Sequence, residues 1–158
     1  MDFSEWMEGF GSGFGLDGFA PNKDGVYRVD IDGMEISFAE LADPSRVLMW
    51  AKVCEPPEKG QELLYRVMLE AMFMGQATGG GGFSVDTESG GVFLQRTDPL
   101  ATFSLEAFNA TLERFVNILE QWRSVVADFE PVAGVIEAAR READEETRRM
   151  GSGGFMQV

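Results

Sequence analysis

The side chains that carry most enzyme chemistry are sparse in this sequence and poorly matched to one another. Its 158 residues contain no histidine. That removes the commonest general base and a frequent metal ligand, and it excludes every histidine-dependent triad. Cys54 is the single cysteine. With no histidine and no CxxC companion to activate its thiol, it reads as structural. Asp86 and Glu88 have the chemistry for acid–base work, but they sit beside Ser89-Gly90, where turn carboxylates are solvated. Gly13-Phe14-Gly15-Leu16-Asp17-Gly18 spells G-x-G-x-x-G. A dinucleotide site needs a strand before that motif and a helix opening at it, and no strand precedes this one. Gly79 to Gly82 lack the Gly-Lys-Ser/Thr of a phosphate loop. Asp30 to Glu35 begins like a calcium loop, lacks the remaining ligands, and is better explained as a hairpin turn at Asp32-Gly33. The expectation is no catalytic residue, no metal and no cofactor.

Composition points instead toward protein binding. The chain has 27 acidic and 13 basic residues, a net charge of −14, and 44% hydrophobic residues. The apolar share is ample for a packed core. The negative field repels phosphate backbones, so nucleic acid is not an expected partner. No apolar run reaches the roughly 20 residues of a membrane span. The first ten residues are acidic and do not resemble a secretory signal, and a lone cysteine suits a reducing compartment. The expected organisation is one domain over residues 1–130, followed by a charged helical extension and tail over 131–158.

The elements follow from periodicity. Phe3, Met7, Phe10 and Phe14 fall on one face of a first helix, with Trp6 beside it. Gly9, Gly11, Gly13 and Gly15 each cost roughly 1 kcal/mol against alanine in a helix, so this helix is expected to be weak and to depend on docking. Tyr27, Val29 and Ile31 alternate with polar residues. Met34, Ile36 and Phe38 do the same after Asp32-Gly33. Asp43-Pro44-Ser45 marks a turn. A third strand, Arg46 to Val53, is apolar on both faces, with Val47, Met49, Ala51 and Val53 opposite Leu48, Trp50 and Lys52. Such a strand lies between two layers or offers one face to a ligand.

A central helix then carries Leu63, Leu64, Val67, Met68, Leu69, Ala71, Met72 and Phe73, apolar almost all round except for Glu62, Arg66 and Glu70. One side can face the chain's own sheet and the other needs cover, most simply a second copy. Gly79 to Gly82 read as a flexible break. Phe83 to Asp86 and Val92 to Arg96 form a second hairpin. Ser104 caps a long helix whose stripe runs from Leu105 through Phe108, Leu112, Phe115, Leu119 and Trp122 to Val126. The fold class is α+β, with about five antiparallel strands and three helices in the order α-β-β-β-α-β-β-α.

This order, with Leu63-Leu64, Gly75, Thr78-Gly79-Gly80, Asp86, Gly91, Leu94, Pro99-Leu100 and Trp122 at these spacings, resembles the class I type III secretion chaperones, the Tir-chaperone or CesT-like family. The resemblance covers roughly Phe3 to Phe129. It implies an acidic homodimer of the bacterial cytoplasm that needs no cofactor. Such a dimer holds the N-terminal segment of a secreted effector in extended form, through apolar patches and added strand pairing. It implies Leu64, Met68 and Met72 as dimer residues, and Phe10, Phe14, Leu48 and Trp50 as effector-binding residues. The alternative is a regulatory module of the same fold that escorts no effector. The glycine-rich first helix and the extension beyond the last helix depart from the family pattern.

Overall fold

Alternation of apolar and polar residues makes the strands, and the computed structural model shows how they pair. It describes residues 2–42, 45–102 and 104–129. The extension and tail expected over 131–158 lie outside the described residues, as do Asp43 and Pro44. The order is α1 (Phe3–Gly13), β1 (Tyr27–Ile31), β2 (Met34–Ala42), β3 (Ser45–Cys54), α2 (Gln61–Met72), β4 (Gly82–Val85), β5 (Val92–Pro99) and α3 (Leu105–Ala127). Short 3₁₀ turns follow α2 and β5. The α+β class and the element order match the expectation.

All five strands form one antiparallel sheet in the order β1-β2-β3-β5-β4. Asp32 and Gly33 both take positive φ, 53° and 78°, as the two-residue hairpin between Ile31 and Met34 requires. Cross-strand partners share a face, so the register sorts the side chains. Tyr27, Ile36, Phe38, Val47, Met49, Ala51, Val92 and Leu94 fall on one face. They join Leu64 and Met68 of α2 and Phe108, Leu112, Phe115, Leu119 and Trp122 of α3 in a single core. All three helices therefore cover the same side of the sheet. Leu48, Trp50, Phe93, Gln95 and Thr97 point away from that side.

The first helix is better held than its glycines suggest. Asp2 and Glu5 form a capping box, each side chain accepting from the other's backbone N–H, which satisfies two otherwise orphaned donors. Phe3, Trp6, Met7 and Phe10 are buried. Trp6 stacks edge-on against Phe108 at 4.3 Å, and Phe10 meets Phe108 at 5.2 Å and Phe38 at 5.7 Å. Four such burials at about 1.5–3 kcal/mol each outweigh interior glycines costing about 1 kcal/mol each. Gly11 has its own reason: a Cβ there would lie 2.8 Å from the Phe19 ring, so the glycine lets the chain after α1 fold back onto the helix.

Candidate functional site

Among the described residues two apolar surfaces remain once the core is closed, one on α2 and the turn after it and one on the face of the sheet opposite the described helices. On α2, Leu64 and Met68 face inward and are 0% and 2% exposed. Met72 is half-buried against β4, where its sulfur accepts from the Phe83 N–H at 3.4 Å. Leu64 and Met68, expected as dimer residues, are thus enclosed by their own protomer and have no surface left for a partner, while Met72 keeps part of its surface open. The outward stripe lies one residue further on, at Tyr65, Leu69 and Phe73, spaced four apart. Leu69 is 66% exposed, and Phe73 and Met74 are each 77% exposed. Tyr65, Leu69 and Phe73 line a shallow groove of about 730 Å³ together with Glu62, Arg66 and Glu70. Arg66 and Glu70 pair at 2.9 Å along its rim.

The helix-free face of the sheet is the second surface. Trp50 stands across from Ser37 and Gln95, Leu48 across from Ala39 and Thr97, and Lys52 across from Phe93. Leu48, Trp50 and Phe93 are half-buried, and among the described residues no helix lies over them. Charged residues ring this patch, with Arg28 and Glu35 3.8 Å apart toward the β1 edge. Leu48 and Trp50 therefore lie together on one open surface. Phe10 and Phe14 do not join them. Phe10 is 1% exposed in the aromatic core beneath α1, and Phe14 is 54% exposed at the helix end, on the covered side of the sheet. Expecting Phe10 in a groove was wrong, because the cluster of Phe38, Phe108 and Phe19 closes around its ring.

The glycine run between these surfaces is pinned rather than flexible, another correction. The Gly80 N–H donates to the Gly75 carbonyl and the Gly81 N–H to the Thr78 carbonyl. Trp122 Nε1 donates to the Ala77 carbonyl at 3.0 Å. Arg96 Nη1 donates to the Gly79 carbonyl, while its Nε and Nη2 grip both oxygens of Asp98 at 2.6 and 2.7 Å. That bidentate pair raises the Arg96 pKa against the opposing effect of burial. A Cβ at Gly81 would lie 2.8 Å from the Gln95 carbonyl oxygen, so the chain passes too close to β5 for any side chain. Arg96 and Asp98 alternate on one strand face, the signal by which their pairing is legible in the sequence.

The titratable groups show no catalytic arrangement among the described residues. Asp86 accepts from the Ser89 hydroxyl and from the Glu88 and Ser89 N–H groups. These bonds, the Ser89 hydroxyl foremost, hold its carboxyl below the usual range. It organises the hairpin turn. Burial, then the neighbouring Glu55 charge, pushes the Cys54 thiol up, away from the reactive thiolate. Among the described residues no cluster of three or more His, Cys, Asp or Glu side chains is placed to hold a metal, and no helix is long and apolar enough to cross a membrane.

With this geometry in view, comparisons with known proteins converge. The model of the Tir chaperone protein (CesT) family matches residues 5–123. No curated protein sequence matches. Among solved structures, the chain superposes on one from the crystal structure of the ExsC-ExsE complex with a TM-score of 0.65 at 22% identity, covering 78% of this chain and 96% of that one. The Yersinia pestis type III secretion chaperone SycH, in complex with a stable fragment of YscM2, gives a TM-score of 0.58 at 17% identity, covering 77% and 99%. The ExoU-SpcU heterodimeric complex from the type III secretion system of Pseudomonas aeruginosa gives 0.56 at 15% identity, covering 78% and 93%.

Proposed function

The chain belongs to the Tir chaperone protein (CesT) family of type III secretion chaperones, and from that premise we propose how its two apolar surfaces divide the work. The protein is a homodimer of the bacterial cytoplasm that binds the N-terminal segment of a secreted effector and keeps it extended. It does so by surface complementarity alone, with no reaction catalysed.

The observation that carries the dimer is the outward stripe of α2. Leu69 of α2 and Phe73 and Met74 of the 3₁₀ turn that follows it, two-thirds to three-quarters exposed, stand beside the edge strand β4. A stable homodimer buries more than about 1,000 Å² in total. The stripe supplies its apolar centre. The rim of Glu62, Arg66 and Glu70, together with the half-exposed Val85 of β4, extends it. Two copies meeting around a twofold axis place the same stripe on both sides.

The effector surface is the helix-free face of the sheet. Leu48, Trp50 and Phe93 give apolar anchorage to an unfolded segment. β1 pairs only with Met34–Phe38 of β2, so the β2 edge from Ala39 onward extends past it and is available for an added strand. Main-chain pairing would supply affinity and the aromatic patch selectivity. The −14 charge favours basic or neutral segments.

Light scattering at micromolar concentration tests the assembly, with a mass near twice 17.4 kDa expected. Co-expression with the N-terminal region of a secreted protein encoded beside it tests the client, by co-purification of a soluble complex. A monomer under these conditions overturns the dimer. A client region that stays insoluble and unbound overturns the escort role.

A further inference from the structure

We propose that the helix-free face of the sheet is covered, in the absence of a client, by this chain's own residues 151–158. Three observations lead there.

The first is where α3 delivers the chain. Arg123, in its last turns, donates through Nε and Nη2 to the Lys52 carbonyl at 3.1 and 2.8 Å. This fixes the end of α3 at the bulged end of β3, between Lys52 and Cys54. Val126 and Phe129 pack against the core. Lys52 is the cross-strand partner of Phe93, so α3 ends level with the apolar patch, on the opposite side of the sheet.

The second is reach. Residues 130–150 stand between that point and the tail. Twenty-one residues span about 25 Å as coil and about 30 Å as helix. From Lys52 to Leu48 is four strand steps, about 13 Å, and the sheet is about 10 Å thick to pass around. Either form of tether suffices.

The third is chemistry. The tail reads Gly-Ser-Gly-Gly-Phe-Met-Gln-Val and holds no charged side chain, in a chain otherwise dense in carboxylates. Phe155, Met156 and Val158 offer apolar groups of the kind Leu48, Trp50 and Phe93 lack on their open side. The glycines before them permit close approach of backbone to a flat sheet.

A tethered tail competes as a ligand at an effective concentration of about 1 mM. With an intrinsic dissociation constant of about 0.1 mM, it weakens a client's apparent affinity about tenfold. The client displaces it, and the tail re-covers the patch after release. This competition rests on the chaperone reading above. The docking itself does not.

Tryptophan accessibility tests the docking directly. Trp6 and Trp122 are 5% and 7% exposed, so acrylamide quenching reports chiefly on the half-buried Trp50. Deleting residues 151–158 is expected to raise the quenching constant. The full-length F155S/M156S variant should match the deletion, and the synthetic peptide of residues 151–158 at millimolar concentration should restore protection. In a Trp50→Phe background the deletion should change nothing. Equal quenching with and without the tail overturns the proposal. So does protection that follows protein concentration and ignores the tail, which would place a second copy on the face. Titrating an effector N-terminal peptide then separates the two readings. If the tail protects Trp50 and no effector peptide binds either form, the docking stands and the chaperone reading fails. If the peptide binds both forms equally and quenching is unchanged, the chaperone reading stands and the docking fails.

Discussion

Two stripes of α2, one residue out of step, share a composition and meet opposite fates. Leu64 and Met68 are closed into the core, while Tyr65, Leu69 and Phe73 look outward over a groove. A one-residue offset is about 100° of helix, enough to separate a core residue from a surface one. Neither stripe is more apolar in a way that decides its side. The deciding fact is what each faces: the single core of the sheet encloses the inner stripe, and among the described residues nothing buries the outer one. Hydrophobicity shows that a helix needs cover on two sides, and only tertiary context says which cover comes from its own chain.

Substitution at the inner stripe should break that comparison most forcefully. Met68→Glu places a carboxylate at a site 2% exposed with no partner for it. The expected loss exceeds about 4 kcal/mol, enough to unfold a domain of ordinary stability. Circular dichroism should show no cooperative melt, and retention of a native melting temperature would mean that the inner stripe is not core. The Leu69→Glu/Phe73→Glu pair should act on the other stripe alone. Its mass should fall from dimer to monomer in light scattering while the far-ultraviolet spectrum stays native. A variant still dimeric would place the interface elsewhere.

The glycine turn after α2 sharpens the contrast between a tight loop and a loose one. Gly81→Ala puts a methyl group against two carbonyl oxygens, those of Gln95 and Thr78, neither of which can swing away as a side-chain end could. A cost of about 1–3 kcal/mol is expected, read as a lower urea midpoint. Gly13→Ala in α1 is the control, since a Cβ there meets nothing within 4 Å. It should be neutral or slightly stabilising.

These contrasts also mark how far the sequence can be read. The strands, both hairpins, the Ser104 cap and the buried stripe of α3 were legible because each has one strong period and one plausible side. The positive φ values at Asp32 and Gly33 followed from residue type alone. Side assignment failed where an element is apolar all round, as in α2. It failed also for Phe10, where the partners that enclose it come from residues 38 and 108, far along the chain. Four consecutive glycines looked loose because their restraints are supplied by Trp122 and Arg96 from other elements. Propensity undervalued α1 for the same reason.

The two faces of β3 offer a gentler comparison. On the covered face Met49 is 1% exposed, and Met49→Ala should cost about 2–5 kcal/mol of stability. On the open face Trp50→Ala should leave the fold cooperative and instead weaken client capture by about 1–3 kcal/mol, the range of a well-placed interface aromatic. Calorimetric titration of an effector N-terminal peptide, paired with a thermal melt, reads both. Loss of stability with unchanged binding would remove the open face from the site.

The smallest effect is expected at the hairpin turn, where a carboxylate organises backbone without being buried. The bonds from Ser89 and Glu88 hold the folded Asp86 pKa below the ordinary 3.8. Its contribution to stability is therefore complete above that value and is lost as pH falls through the lower folded pKa. Asp86→Asn removes this dependence. The difference in urea midpoint between the two proteins should be constant near neutrality and shrink as pH falls below the ordinary 3.8 and through the lower folded pKa, without any change in dimer mass or client binding. A difference that instead appeared between pH 6 and pH 8 would show a carboxylate titrating far above its ordinary range. Asp86 would then be a candidate for acid–base chemistry and no longer only the anchor of a turn.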